Sequence, residues 1–305
     1  MNVINSIKGK LCRLLQCKKE NGLNTLPNTL YKYYKYDDAL NLKRLLGEIY
    51  FCCPNRFNDV FDAQHEVVNN IDEFNNLSIP KERLKEIGYT NPSEIVDCLK
   101  GKESEKYKME IRKKQIENVG IICLINTPIS ILMWAYYAEN EVYCIEYDVN
   151  AIQDNIENLV QQEFEKKGIS KSNNRIQAGA VSYNHTLPCA PLFFSRKGKD
   201  QPYSKYFCKA KCWEHENEYR IVLSLLPNVP LKFKGVVKSI TFGYNISIER
   251  VQRLLTLIAD IDENIEIYFL KKMKGCDGFE RERFPFTKKK DLKNLKDIIL
   301  SYQNL

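Results

Sequence analysis

Between Cys212 and Ser224 the chain reads CWEHENEYRIVLS. Glu214, Glu216 and Glu218 stand at every second position and run straight into the apolar strand pattern YRIVLS. A carboxylate held rigidly at the mouth of a strand can stabilise positive charge that develops on a substrate. A second carboxylate two residues away can orient or deprotonate an attacking group. The last of the three, Glu218, suits the first role and Glu216 the second. Crowding and partial burial should raise the pKa of at least one of the two. The spacing predicts Glu218 at the start of its strand, in a cleft shared with Lys32, Tyr33 or the Tyr136–Tyr137 pair. On this reading Glu218→Gln removes function and leaves the melting temperature nearly unchanged. The competing reading is a charged strand entry paired with Arg220 or a nearby lysine, worth roughly 0 to 1 kcal/mol if exposed.

A second polar constellation is FNDVFDAQHE, Phe57 to Glu66. Asn58, Asp59, Asp62, His65 and Glu66 offer oxygen and nitrogen ligands. With Glu146, Glu216 and Glu218 they would make a metal-dependent nuclease site. Turn chemistry explains the same residues: Asn58 and Asp59 bond their own backbone, and Asp62 starts a helix. Cys208, Cys212 and His215 have the spacing closest to a zinc site but lack a clear second pair. The prediction is therefore no bound metal.

The elements that must carry these residues are strands more often than long helices. LYKYY from Leu30 is β-prone, EIYFC from Glu48 is a second strand, and Gly47 is placed to end the helix between them. Asp37 is a candidate cap for that helix. GIICLI, VYCIEYDV, AGAVSY, YRIVLSLL, VVKSITFG and IEIYFLK supply further strands. In the second of these, Tyr143, Ile145, Tyr147 and Val149 share one face and Cys144, Glu146 and Asp148 the other. MWAYYAE reads as a short helix or turn, and helices are predicted over Ala151 to Lys166 and after Ser247. YSKYFCKA reads as helical. The order is not a regular βαβ alternation, and no GxGxxG or Walker-type loop is present. The expected fold is α+β, with a mixed or antiparallel central sheet. A basic arm (1–27), one α+β domain (28–275) with a helical insertion at about 66–118, and a charged tail (276–305) divide the chain. A last helix is expected at Lys290 to Ser301.

The 305 residues carry a net charge of +7, 28% charged and 44% hydrophobic residues, an ordinary globular composition. Eleven scattered cysteines without a secretory pattern point to reduced thiols and a cytoplasmic protein. No apolar run has the length of a membrane span. Basic runs at Lys8–Lys19, Lys271–Lys274 and Lys288–Lys290 are solvated tails or attract nucleic acid.

Four phrases in order carry a resemblance. They are LYKY (Leu30–Tyr33) with PNRFND (Pro54–Asp59), ILMWAYYA (Ile131–Ala138) with CIEYD, VSY (Val181–Tyr183), and CWEHENEYRIV (Cys212–Val222). Together they resemble a large bacterial family of domains of unknown function, over about residues 30 to 272. Tyr34, Val60, Tyr136 and Tyr143 stand where that family usually has Arg, Pro, His and Gly. The layout is also similar to ADP-ribosyltransferase-like folds, in which a late strand is headed by a glutamate, often in an E-x-E pair. That likeness implies NAD as substrate and a nucleic-acid or protein acceptor, in an anti-phage defence or toxin setting. It implies Glu218, Glu216, Tyr136 and Tyr137 as catalytic residues. Tyr31, Lys32, Tyr33 and Trp134 would bind the dinucleotide, with Lys32 at the pyrophosphate. The alternatives are the nuclease and a non-catalytic module that binds nucleotide or nucleic acid.

Overall fold

The computed structural model describes residues 26–35, 43–68, 101, 104–169, 176–191, 204–260, 265–285, 297 and 300. Strands β1 (Thr29–Tyr34), β2 (Glu48–Phe51) and β3 (Glu66–Val68) precede helix α1 (Ser104–Glu117). Next come β4 (Val119–Ile125), α2 (Ile131–Tyr137), β5 (Tyr143–Asp148) and α3 (Val149–Lys166). Five strands follow: β6 (Ile176–Ala180), β7 (Ser182–Asn184), β8 (Cys189–Pro191), β9 (Cys208–Ala210) and β10 (Glu218–Ser224). The last elements are β11 (Val229–Lys232), β12 (Val237–Phe242), α4 (Ile248–Asp260), β13 (Glu266–Lys272) and β14 (Phe279–Phe284). Eight strands make one sheet in the order β14-β13-β12-β5-β1-β4-β10-β6. In it β12 and β13 run parallel and the other neighbours antiparallel. The fold is α+β with a mixed sheet, as the irregular element order predicts.

Some boundaries differ from the expectation. β14 pairs with β13 from Phe279 to Phe284, so the sheet continues past Gly275 into the stretch expected to be a tail. YSKYFCKA is a 3-10 turn at Ser204–Phe207 and then β9, not a continuous helix. The N-terminal arm, the Asp37 cap, the C-terminal helix and most of the 66–118 insertion lie outside the described residues.

Period-two alternation sets the two faces of the sheet. Tyr143, Ile145 and Tyr147 enter the larger core with Ile152, Ile156, Val160 and Phe164 of α3 and Val251, Leu255 and Ile258 of α4. Asp148 starts α3 by accepting the amides of Asn150 and Ala151. Cys144 lies on the opposite face, in a smaller core with Tyr33, Ile125, Met133 and Trp134. The register aligns Glu218 with Ile125, Ile125 with Tyr31, Tyr31 with Glu146 and Glu146 with Ser239. Paired residues share a face, so this row lies on the side away from α3 and α4.

The outer edge of β4 explains one sequence feature. β1 pairs with β4 at Tyr31↔Ile125 alone. Further along, the Cys123 carbonyl accepts from Lys32 Nζ (2.9 Å), and Ile121 exchanges backbone hydrogen bonds with Cys52. An ammonium thus takes the place of a missing strand partner, because a buried carbonyl without a donor is costly.

Gly47 ends the helical turn before β2 at φ +85°, where its carbonyl accepts from Phe233 N–H at 3.0 Å. A Cβ there would lie 2.5 Å from the Phe233 carbonyl oxygen. Left-handed backbone and overlap with backbone act together, so Gly47→Ala should destabilise by about 2 kcal/mol or more. Chemical denaturation would show this as a lower midpoint with an unchanged slope.

Candidate functional site

The alternation of the three glutamates is not that of one extended strand. Lys211–Glu216 forms a 3-10 turn, and Asn217 takes the left-handed conformation at φ 45°, which Asn tolerates. Glu214 stays exposed and pairs with Lys211. Past Asn217 the chain turns into β10, and Glu216 and Glu218 converge on one buried amine, Lys209 of β9. Glu218 is the first residue of β10, as predicted.

Arg220, two residues into the strand, is fully buried. Its Nε and Nη2 donate to Glu218 at 2.6 and 3.0 Å. Its Nη1 and Nη2 donate to Asp62 at 2.8 and 2.7 Å, and Nη1 also donates to the Tyr206 carbonyl at 2.7 Å. A guanidinium has five N–H donors, and here each has an acceptor. Two forked carboxylate contacts on one guanidinium fix the strand entry to the Asn58–Asp62 loop. Lys209 Nζ donates to Glu216 Oε2 at 2.5 Å and lies 3.5 Å from Glu218 and 3.7 Å from Asp62. It also sits over the Trp213 ring at 4.8 Å. The Glu218 amide donates to the Tyr183 hydroxyl at 2.8 Å.

Three carboxylates therefore meet two cations, leaving one excess negative charge. Burial alone would raise the Glu218 pKa, but Arg220 and then Lys209 outweigh it and hold this carboxyl down at about 2. At Glu216 burial prevails over Lys209, helped by repulsion from Glu218, and the pKa is raised. Lys209 is shifted up because Glu218, Glu216 and Asp62 together overcome its burial. The expectation of one raised carboxyl holds, and it falls on Glu216. This carboxyl is also the one that the Tyr137 phenol reaches. The half-buried Tyr137 donates its hydroxyl to Glu216 Oε1 at 2.7 Å and accepts from Asn58 Nδ2 at 3.3 Å. Burial, then Glu216, pushes the Tyr137 phenol up. Tyr136, 53% exposed, lies beside the His215 ring.

The other expected ligands do not assemble here. Glu218 is 2% exposed and its carboxylate is gripped by Arg220. Its replacement by Gln thus breaks a buried network, so an unchanged melting temperature is no longer expected. Lys32 is engaged by the Cys123 carbonyl, and burial lowers its pKa, which ill suits a pyrophosphate ligand. Tyr33 is buried edge-on to Trp134, its hydroxyl donating to the Thr127 carbonyl and accepting the Ser130 amide. Trp134 is fully buried, with Nε1 on the Pro128 carbonyl at 2.8 Å, and is a core residue. Tyr31 lies toward β14, its ring 5.6 Å from the Arg281 guanidinium. Arg281 in turn bonds Glu146, which binds Ser239, three strands from Glu218.

Asp62 starts no helix; it is the second forked partner of Arg220. Asp59 forms the expected turn, accepting the Phe61 amide at 2.9 Å. The Cys208 thiol meets the Ser182 hydroxyl, and His215 Nδ1 meets the Cys212 carbonyl. Among the described residues, Cys52, Cys53, Cys123, Cys144, Cys208, Cys212 and Cys276 are free thiols, the adjacent Cys52 and Cys53 included.

Comparison with family models, curated proteins and solved structures finds no match. Among the described residues no helix is long and apolar enough to cross a membrane. Lys209 is the member of the site that the sequence does not single out; Asp62 stands out there as a candidate metal ligand and not as a partner of Arg220, and Tyr183 only as the last residue of the VSY phrase.

Proposed function

We propose that this chain is a member of the bacterial family its phrases resemble. In this reading it acts in the cytoplasm as an ADP-ribosyltransferase-like enzyme of defence or toxin type, moving ADP-ribose from NAD to a nucleic-acid or protein acceptor. The observation that carries the proposal is the Tyr137–Glu216–Lys209 contact. It supplies a preorganised carboxyl with a raised pKa at the mouth of β10, joined to the surface by a half-buried phenol. A carboxylate of raised pKa is the better general base. Glu216 therefore takes the proton from the acceptor as its nucleophile bonds to the ribose carbon. The bond to nicotinamide breaks with its electron pair leaving on the ring nitrogen. Glu218, neutralised by Arg220, acts as the anchor that fixes Glu216, a division of labour reversed from the one the spacing suggests.

The non-catalytic module is the second reading, favoured by the complete saturation of Arg220. The nuclease reading draws on Asp59 or Asp62 with the glutamates, and of these Arg220 engages Asp62 and Glu218.

Incubation of the protein with NAD and cell extract should release nicotinamide and label an acceptor. Glu216→Gln should lower the rate by roughly 100-fold or more, the usual scale for a lost general base. A folded wild-type protein that binds NAD and releases no nicotinamide would leave the binding module standing instead.

A further inference from the structure

The far edge of the sheet carries a second polar cluster, which the site at β10 does not use. Period two puts Glu266, Tyr268, Leu270 and Lys272 of β13 on the face away from α3 and α4. Arg283, Arg281 and Phe279 of β14 stand opposite the last three. Leu270 belongs to the smaller core, and Tyr31, Tyr244 and Phe279 pack against that core, partly buried. Tyr268 beside them is half-buried too. Cations lie among these rings. The Arg281 guanidinium is 4.3 Å from the Tyr268 ring and 5.6 Å from that of Tyr31. Lys272 Nζ is 4.6 Å from the Tyr244 ring, which lies 6.5 Å from that of Phe279.

The cations differ in what they have left to bind. Arg281 Nη1 donates to Glu146 at 2.9 Å and to the Ser239 hydroxyl at 3.3 Å. Among the described residues no carboxylate or carbonyl takes the N–H groups of Nε and Nη2, and the side chain is 24% exposed. A guanidinium held by one edge and flanked by two rings presents its other edge already oriented, as the fork that phosphate oxygens fit. Arg283 pairs with Glu266 at 2.8 Å, an exposed pair that contributes little and that a phosphate can displace. Lys272 and Lys274 are exposed and have no carboxylate partner among the described residues. An acidic protein segment would use these cations and leave the rings idle. A duplex hides the faces of its bases. An unpaired strand uses both features, its phosphates on the cations and its bases on the rings.

We propose that the rim formed by Tyr31, Tyr244 and Tyr268 around β13 and β14 binds single-stranded nucleic acid, with Arg281, Lys272 and Lys274 on its phosphates. Tyr31 and Phe279 are four strands apart, about 19 Å across the sheet. The surface therefore holds several nucleotides in a row and is not a mononucleotide pocket. It goes beyond the transferase reading and does not depend on it, because binding is measured without NAD.

Fluorescence anisotropy of the full chain with a labelled oligo(dT) of about 12 nucleotides, within the usual site size, tests this. The comparison probes are the same sugar-phosphate chain without bases, the duplex of oligo(dT) with oligo(dA), and phosphatidylserine vesicles. At about 50 mM salt, oligo(dT) should bind about fivefold or more tighter than the base-free chain and the duplex. Tyr268→Leu should remove most of that preference for bases and keep the salt dependence. Lys272→Gln combined with Lys274→Gln should do the reverse. The preference stays, and the slope of log K against log salt falls in magnitude by about 1.4, at about 0.7 per phosphate contact. Arg281→Lys keeps a charge opposite Glu146 but loses the fork, so it should bind oligo(dT) about fivefold or more weaker. The tyrosine and lysine variants alter side chains at the surface and should melt within about 2 °C of wild type. The changes on substitution, and not binding by itself, assign the surface to this edge of the sheet. Equal binding of oligo(dT) and the base-free chain, a duplex bound as tightly as the single strand, or vesicles bound more tightly than either would overturn the proposal. So would an unchanged salt slope in the lysine variant, or no binding of oligo(dT) below about 100 µM. Binding without nicotinamide release would support this surface while rejecting the transferase.

Discussion

Arg220→Met is expected to be the most damaging single substitution in the described fold. Methionine fills much of the space and removes all five donors. Asp62 and Glu218 would then be buried carboxylates facing each other across β10 and the loop, with Lys209 alone between them. Removing one partner of a buried network costs about 3–5 kcal/mol, far more than an exposed ion pair. In a chain of this size that corresponds to a melting temperature lower by roughly 6–20 °C. The loss should come from stranded charge, not from the absent guanidinium as such. Adding Asp62→Asn and Glu218→Gln to Arg220→Met should therefore recover a large part of it. Differential scanning calorimetry of the single and triple variants decides the matter. A single variant melting within about 2 °C of wild type, or a triple variant less stable than the single, would show that the network does not hold the strand entry.

How far this network was legible depends on sequence distance. Period-two alternation in VYCIEYDV is local, and β5 has the faces it predicts. The Ser247 start of α4 and the Gly47 stop are local too. Glu218 at the head of β10 could be read because the apolar run begins beside it. The partner that matters most is not local: Asp62 and Arg220 are 158 positions apart. Asp62 looks like a helix start because the residues around it are turn formers. Lys209 looks like part of a helix because YSKYFCKA mixes aromatic and basic residues at helical spacing. In the fold, β9 pairs with β7 instead, and that pairing sets Lys209 beneath the glutamates. The misassigned nucleotide ligands fail for the opposite reason. Tyr33 and Trp134 carry polar atoms that suit a ligand, yet those atoms satisfy backbone groups of the Thr127–Ser130 segment inside the smaller core.

Glu216 and Glu218 should part company when each is replaced by Gln. Glu218 has a folded-state pKa of about 2, below its ordinary 4.5. Such a group contributes stability that is present above 4.5 and lost as pH falls from there toward 2. Glu218→Gln should accordingly lower the melting temperature at neutral pH, with the difference from wild type shrinking as the solution is acidified through that window. Glu216 has the opposite sign. Its raised pKa means that the protonated form is favoured in the fold; its contribution is present below 4.5 and is lost as pH rises through the raised value. At neutral pH its charge is the excess one in a cluster of three carboxylates and two cations. Glu216→Gln balances that cluster and keeps an oxygen for Lys209, so its melting temperature at pH 7 should equal or exceed that of wild type, and the two should converge below about pH 4.5. Melting curves of both variants from pH 8 to pH 3 test this directly. If Glu216→Gln melts well below wild type at pH 7, the carboxylate is a structural partner of Lys209, and a loss of nicotinamide release in that variant would no longer identify a base.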